Sequence, residues 1–212
     1  MLEKLPEALG HALRDQRAGL DKLVCEQIGL RGGMGAIEVR SLAFADHAPI
    51  PALYTADGEG RSPSLQWTGV PAAATQLVLV VEDADAPTPQ PLVHAIACGL
   101  PPEDGALPEG ALSEDDHRGA QLVLGRNSYL RASWLPPDPP PGHGVHRYAF
   151  QLFAVAQGAA FSDTPGRDEV LDALRERALA SGCLIGTYTR PDGSQKVDAP
   201  QGVVNIEGGP AA

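Results

Sequence analysis

The sequence predicts a mainly β fold, with antiparallel sheets, one or two peripheral helices and an amphipathic helix at the N-terminus. Three observations carry that expectation. Leu77 to Val81 and Leu92 to Cys98 are short apolar runs of strand length, the first strongly β-branched. His146 to Ala156 sets Phe150, Leu152 and Ala154 against Ala149, Phe153 and Val155, apolar on both faces, as in a strand at the centre of a sheet. Gly 24 and Pro 20 are spread between short apolar runs rather than concentrated, which calls for many turns.

At 212 residues the chain suits one domain, read as 36–190, preceded by a helix and linker over 1–35 and followed by a tail over 191–212. In the first segment Leu2, Leu5, Leu9, Leu13, Leu20, Val24 and Ile28 recur at helical steps, with a break at Gln16-Arg17. This helix either packs across a homodimer or covers the domain's own sheet. Glu3, Glu7, Asp15 and Asp21 interrupt it, so it is not a secretory leader. No stretch approaches the roughly 20 apolar residues of a transmembrane segment. Gly29 to Gly35 reads as a connection.

Along the domain, Ile37 and Val39 start the sheet and Leu65 to Trp67 adds a short strand. Residues 101–120 are acidic and turn-rich, a surface loop that includes a solvated His117. Asn127 and Ser128 suit side-chain bonds to the backbone that fix a loop. Pro136 to Pro141 is a rigid approach to the strand that follows. Asp168 to Ser181 forms a helix with Gly182 as its stop, and Cys183 to Thr189 a last strand. In the tail only Val203, Val204 and Ile206 are large and apolar.

A net charge of −11 and a pI near 4.9 argue against a nucleic-acid partner. Cys25, Cys98 and Cys183 have no C-x-x-C spacing and cannot all pair, so they are expected as reduced thiols in a cytoplasmic protein.

Candidate site residues gather at two places. After the first apolar run, Asp83 and Asp85 share a face by strand alternation and are expected to look into one cavity beside Pro87. His94 returns in the next strand, where alternation puts it on one face with Ile96 and Cys98. Further on, Gly142 and Gly144 flank His143 and free the backbone N–H groups for an anion, while His146 and Tyr148 share a face and Arg147 turns away. Taken singly, these residues have ordinary readings: a hydrogen-bonded core histidine, a turn with two acids. Ser62 and Ser64 lack a G-x-S-x-G elbow and read as turn residues, not nucleophiles.

In order, EDADAP, PLVHAIACGLP and PPPGHGVHRYAFQLFAV resemble the phosphatidylethanolamine-binding proteins, also called Raf kinase inhibitor proteins, and in particular their bacterial branch. IPALYTADGEGRSPSLQWTGVP upstream and LASGCLIGTYTR downstream extend the resemblance from about Ile37 to Arg190. Ala84 stands where that family usually has Pro, which is expected to loosen the loop, and Leu135-Pro136-Pro137 where it commonly has Gly-Gly-Pro. The resemblance implies Greek-key topology, a tight loop with a cis Ala86–Pro87 bond, and a pocket for a small anion, phosphate-like or carboxylate-bearing. It also implies regulation of a protein kinase or protease. The expected function is a binding module without cofactor, metal or catalytic residues, whose ligand sits on Asp83, Asp85, Pro87, His94, Gly142, Gly144, His146 and Tyr148. Protonation of His94 or His146 is expected to strengthen anion binding as pH falls from about 8 to 6. Two alternatives stand beside it: an enzyme, metal-dependent or hydrolytic, built on Asp83, Asp85, His94 and His146, and an interaction protein with a vestigial pocket.

Overall fold

The computed structural model describes residues 6–29, 35–113 and 122–190. The expectations for residues 1–5, for the connection at 30–34, for loop positions 114–121 with His117 and for the tail 191–212 lie outside the described residues. The fold is mainly β. Its strands are β1 (Gly35–Ala36), β2 (Glu38–Arg40), β3 (Leu65–Thr68), β4 (Gln76–Asp83), β5 (Leu92–Leu100), β6 (Gly105–Leu107), β7 (Val123–Gly125), β8 (His146–Val155) and β9 (Ala178–Tyr188). A six-stranded sheet runs β1-β9-β8-β4-β5-β7 and a three-stranded sheet β2-β3-β6. Every pair is antiparallel except β1 with β9. Within the large sheet, β8 returns to lie beside β4 while β5 and β7 extend from its other side, which is Greek-key order.

The apolar residues on both faces of β4, β5 and β8 are explained by three layers. One face, with Leu77, Leu79, Val81, Ala97, Phe150 and Leu152, packs against Ile37, Val39, Leu65 and Trp67 of the small sheet's side. The other, with Val78, Val80, Ile96, Phe153 and Val155, is covered by Val170, Leu171 and Leu174 of a helix and by Val24 and Ile28 of the N-terminal segment. A strand buried on both sides has no solvent face to mark with polar residues.

Two helix expectations are corrected. The helix of the domain, α3, spans Arg167–Arg177, after α1 (Glu7–Ala12) and α2 (Val24–Gln27), and it stops short of Ser181. The residues from Ala178 onward pair with β8 instead, from Val155 opposite Ala178 to His146 opposite Tyr188. A long ladder outweighs the modest helix propensity of that small-residue run. Gly182 sits within the strand, opposite Leu152, rather than ending a helix, and the position takes glycine because a Cβ there would lie 2.1 Å from the Ile37 carbonyl oxygen. The N-terminal segment is likewise no single helix: α1 and α2 are short, with a 3₁₀ turn at Leu20–Lys22. Between them the chain spends its N–H groups elsewhere, Ala18 N–H donating to the Ala86 carbonyl (3.0 Å) and Gly19 N–H to that of Ala84 (2.8 Å). A helix interior has no such donors to give. The segment is therefore a strap across its own domain, with Leu23, Val24 and Ile28 buried.

The strap is pinned by a buried acid. Glu82, fully buried, accepts Arg167 Nε (2.6 Å), Val24 N–H (2.9 Å) and Gln151 Nε2 (2.8 Å), and Arg167 Nη2 also donates to the Lys22 carbonyl (2.6 Å). Removing one partner of such a pair leaves an uncompensated charge. Arg167→Met is expected to lower unfolding stability by about 3–5 kcal/mol, read as a shift in urea midpoint at unchanged slope. Arg175→Met, whose pair with Asp172 is exposed, serves as the contrast, expected to change stability by less than about 1 kcal/mol.

Candidate functional site

Glu82, Asp83 and Asp85 follow one another at the end of β4, and all are buried. Their partners differ. Asp83 Oδ1 accepts the Asp85 N–H (2.8 Å), which closes the turn, and Oδ2 meets His146 Nδ1 (2.7 Å). Asp85 is clamped by Arg147, whose backbone N–H and Nε donate to Oδ2 (2.9 and 2.7 Å) and whose Nη2 donates to Oδ1 (2.7 Å). Arg17 of the strap adds Nη1 at 2.8 Å. The two aspartates therefore do not look into one cavity: Asp83 does and Asp85 does not.

The loop after them holds no cis peptide. Ala86–Pro87 is trans, since the described residues contain no cis bond. The tight turn is made by the Asp83 side chain and by the Thr88 N–H on the Ala86 carbonyl (2.8 Å). Ala84 does not loosen the loop. Its N–H donates to the Arg147 carbonyl (3.0 Å), a bond that proline cannot make.

His94 arrives by a bulge. Along β4 and β5, Val81 lies opposite Ala95 but Glu82 lies opposite Val93, so His94 is the extra residue. Alternation is broken there. Val93, Ile96 and Cys98 share the helix-side core, while Ala95 and Ala97 belong to the other, and the His94 ring stands with Tyr148 and Trp134 on that second side, at ring distances of 5.1 and 6.1 Å. The expectation that His94 shares a face with Ile96 and Cys98 is thus overturned by one inserted residue.

These elements enclose a cavity of about 200 Å³ lined by Asp83, Ala86, Pro87, Thr88, Leu92, His94, Tyr129, Leu135, Pro136, Asp138, Pro139, Pro140 and His146. Pro136 to Pro140 make one rigid wall. Asp138 and the Pro139 carbonyl are held from behind by the buried Arg190, through Nη2 (2.7 Å) and Nη1 (2.9 Å). Tyr129 reaches the rim from a loop fixed by Asn127, whose Oδ1 accepts the Tyr129 and Arg131 N–H groups and whose Nδ2 donates to the Ser133 carbonyl. Sequence reasoning named neither Tyr129 nor Asp138 nor Arg190 as part of the site; the only signal was an arginine at the end of a predicted strand. Ser62 has a structural task, its Oγ accepting the Leu112 N–H. Trp67 is core, its Nε1 donating to the Glu103 carbonyl.

Gly142 and Gly144 have φ of 76° and 95°, as their neighbours' turn requires. Their turn faces the strap rather than the cavity: the Gly142 carbonyl accepts Arg14 and the His143 carbonyl accepts Arg17. His143 N–H is taken by Pro140, so it is not free for an anion.

A chain of hydrogen bonds runs from strap to cavity. His143 Nε2 meets the Leu13 carbonyl (2.8 Å), His143 Nδ1 meets His146 Nε2 (2.7 Å), and His146 Nδ1 meets Asp83 (2.7 Å). The Leu13 carbonyl can only accept, so His143 donates there from Nε2. The chain thus ends on the Asp83 carboxylate. His94 is different: its Nδ1 donates to the Leu135 carbonyl (2.6 Å), and burial holds its pKa below the ordinary histidine value. It is neutral, with the lone pair on Nε2. Among the described residues His94 Nε2 and the Tyr148 hydroxyl are buried without a hydrogen-bond partner, and burial, followed by the Asp83 charge, pushes the Tyr148 hydroxyl well up. Asp83, Asp85, His94 and His146 do not converge as a ligand set, and among the described residues no three His, Cys, Asp or Glu side chains do.

Asp85 gives this region an acid limit. Burial raises its carboxyl, but hydrogen bonds and charge from Arg147 and Arg17 outweigh burial and hold it below the ordinary range. A group with a lowered folded pKa contributes stability above its unfolded value, near 3.9, and loses it as pH falls through the folded value. Asp85→Asn is therefore expected to be less stable than the parent at pH 7, with a difference that shrinks below about pH 4, as urea midpoints across that range would read.

Comparison with known proteins places these features. The family model for phosphatidylethanolamine-binding protein matches residues 40–189. A UPF0098 protein of Methanothermobacter thermautotrophicus is 34% identical over 154 residues, covering 73% of this chain and 99% of its own. A UPF0098 protein of Chlamydia trachomatis is 34% identical over 160 residues, covering 73% and 99%. Among solved structures, a phosphatidylethanolamine-binding protein homologue from C. trachomatis superposes with a TM-score of 0.65 at 32% identity, over 73% of this chain and 98% of that one. Escherichia coli YbcL, described as a member of the mammalian family, gives 0.68 at 25% identity over the same shares.

Proposed function

Because the chain belongs to the phosphatidylethanolamine-binding protein family, we propose that its cavity binds a small anion of the phosphomonoester kind, such as a phosphorylated headgroup, and that the protein works by binding rather than catalysis. One observation carries this reading: His94 Nε2 and the Tyr148 hydroxyl are buried side by side with no hydrogen-bond partner among the described residues. Burying polar groups unsatisfied costs about 1–3 kcal/mol each, which a suitable ligand would recover.

The complement follows from their chemistry. Neutral His94 offers a lone pair and so wants a donor, and Tyr148 O–H can give a hydrogen to an ionised oxygen. A phosphate monoanion carries both on adjacent oxygens, P–OH and P–O⁻. Asp83 is engaged by His146 and Asp85 by two arginines, so neither meets the ligand as a free aspartate. A cavity of about 200 Å³ lies below the usual 300–1,000 Å³ of drug-sized pockets, so a headgroup rather than a whole lipid is the better fit. Asp85 takes no part in holding the ligand; it fixes Arg147 and the strap. What favours binding over metal chemistry is that Asp85 is committed to two arginines.

Calorimetry with phosphoethanolamine and with inorganic phosphate tests the reading. His94→Ala and Tyr148→Phe are each expected to weaken binding by roughly 10- to 100-fold, as loss of a hydrogen bond to a charged group does. Affinity is expected to rise as pH falls from 7.5 to 5.5, because the ligand takes up its own proton near pH 6 while His94, with its lowered pKa, stays neutral until lower pH. Binding that is absent, indifferent to both substitutions, or stronger at the higher pH sinks it.

A further inference from the structure

The strap carries Cys25 to the large sheet. Cys25 N–H donates to Gln151 Oε1 (2.8 Å), and Gln151 is fixed in turn by Nε2 on buried Glu82 (2.8 Å). Across the β8–β9 ladder, the residue paired with Gln151 is Cys183. Paired residues in a ladder point to the same face, so Cys183 stands on the face on which Cys25 lies, and the two thiols are neighbours there. They lie far apart in the sequence and come from a segment outside the matched family region and a strand within it. Cys98, by contrast, is buried in the helix-side core.

We propose that Cys25 and Cys183 are a modification site, a dithiol that peroxide oxidises to a disulfide and that then ties the strap covalently to the sheet. The Cys25 thiolate attacks one oxygen of hydrogen peroxide, an S–O bond forms as the O–O bond breaks, and the departing oxygen leaves as water after taking a proton. The Cys183 sulfur then attacks the sulfenic sulfur of Cys25. An S–S bond forms, the S–O bond breaks, and a second water leaves. The pair gives up two electrons and two protons, and one peroxide becomes two waters. The roles are set by environment. The neighbouring Cys183 thiol lowers the Cys25 pKa against burial and the charges of Glu26 and Glu82, while Cys25, followed by burial, pushes Cys183 up. Cys25 is the attacking sulfur because the thiolate is the nucleophile. Burial pushes Cys98 up to about 12, which leaves it inert.

The consequence reaches the cavity side. The same strap supplies Arg17 to Asp85 and the Leu13 carbonyl to His143, so a link at Cys25 holds those contacts on the domain. The full chain treated with hydrogen peroxide, capped with N-ethylmaleimide under denaturing conditions and digested with trypsin, which does not cut before Pro191, is expected to yield peptide 23–31 joined to peptide 178–196, lighter by two hydrogens than the two together, with Cys98 capped. Cys183→Ser is expected to leave a sulfenic acid on Cys25 that dimedone labels, and Cys25→Ser to leave Cys183 a free thiol. Full capping of all three cysteines after peroxide, a disulfide that joins two chains, or dimedone on Cys98 instead of Cys25 would overturn the proposal.

Discussion

Three carboxylates are taken out of water at the end of β4, and each must find a partner or cost several kcal/mol. That requirement organises the molecule. Glu82 points to the helix side and draws in Arg167 of α3, Gln151 of β8 and the strap's backbone. Asp83 points to the other side and draws in His146. Asp85, past the turn, draws in Arg147 and Arg17. The charges that converge on one strand end thereby fix the helix, the central strand and the N-terminal strap relative to each other. Such a convergence specifies one arrangement, because each ion pair is strong only in a single geometry.

The cavity exists because the regular sheet is interrupted where β4 and β5 meet. Without the inserted residue, alternation would send His94 into the helix-side core with Ile96. The bulge turns it towards Tyr148 and the proline wall, where its backbone and Nδ1 both pair with Leu135. Neutrality of that ring is a result of the same placement: burial strips the charged imidazole of its solvation, and that outweighs the pull of Asp83 nearby. The ring expected to be protonated is therefore neutral, with Nε2 as a hydrogen-bond acceptor.

Outside the matched family region, the strap bonds to both motif loops from behind, so the cavity's His146 is wired to it through His143. The segment is folded onto its own sheet, burying Leu23, Val24 and Ile28 there. Of the apolar residues whose spacing suggested a partner subunit, Val24 and Ile28 are buried there, while Leu9 and Leu20 are exposed.

The sequence by itself determined the β class, the three central strands and the family, because an apolar run buried on both faces and several motifs in fixed order are local facts. It also supplied four of the cavity's lining residues, Asp83, Pro87, His94 and His146, with Tyr148 beside the His94 ring. What it missed depends on partners far away in the chain. Whether residues 178–182 continue a helix or join β9 was decided by the ladder with β8, and whether residues 13–19 are helical was decided by the carbonyls of Ala84 and Ala86. Asp83 and Asp85 have the same local pattern, and only the positions of Arg147, Arg17 and His146 separate a cavity-facing acid from a clamped one. Periodicity assumes an unbroken strand, so a single bulge was enough to reverse His94. Burial energies and ion pairs act over space, where a distant residue counts as much as a neighbour, and that is why tertiary structure alone settled them.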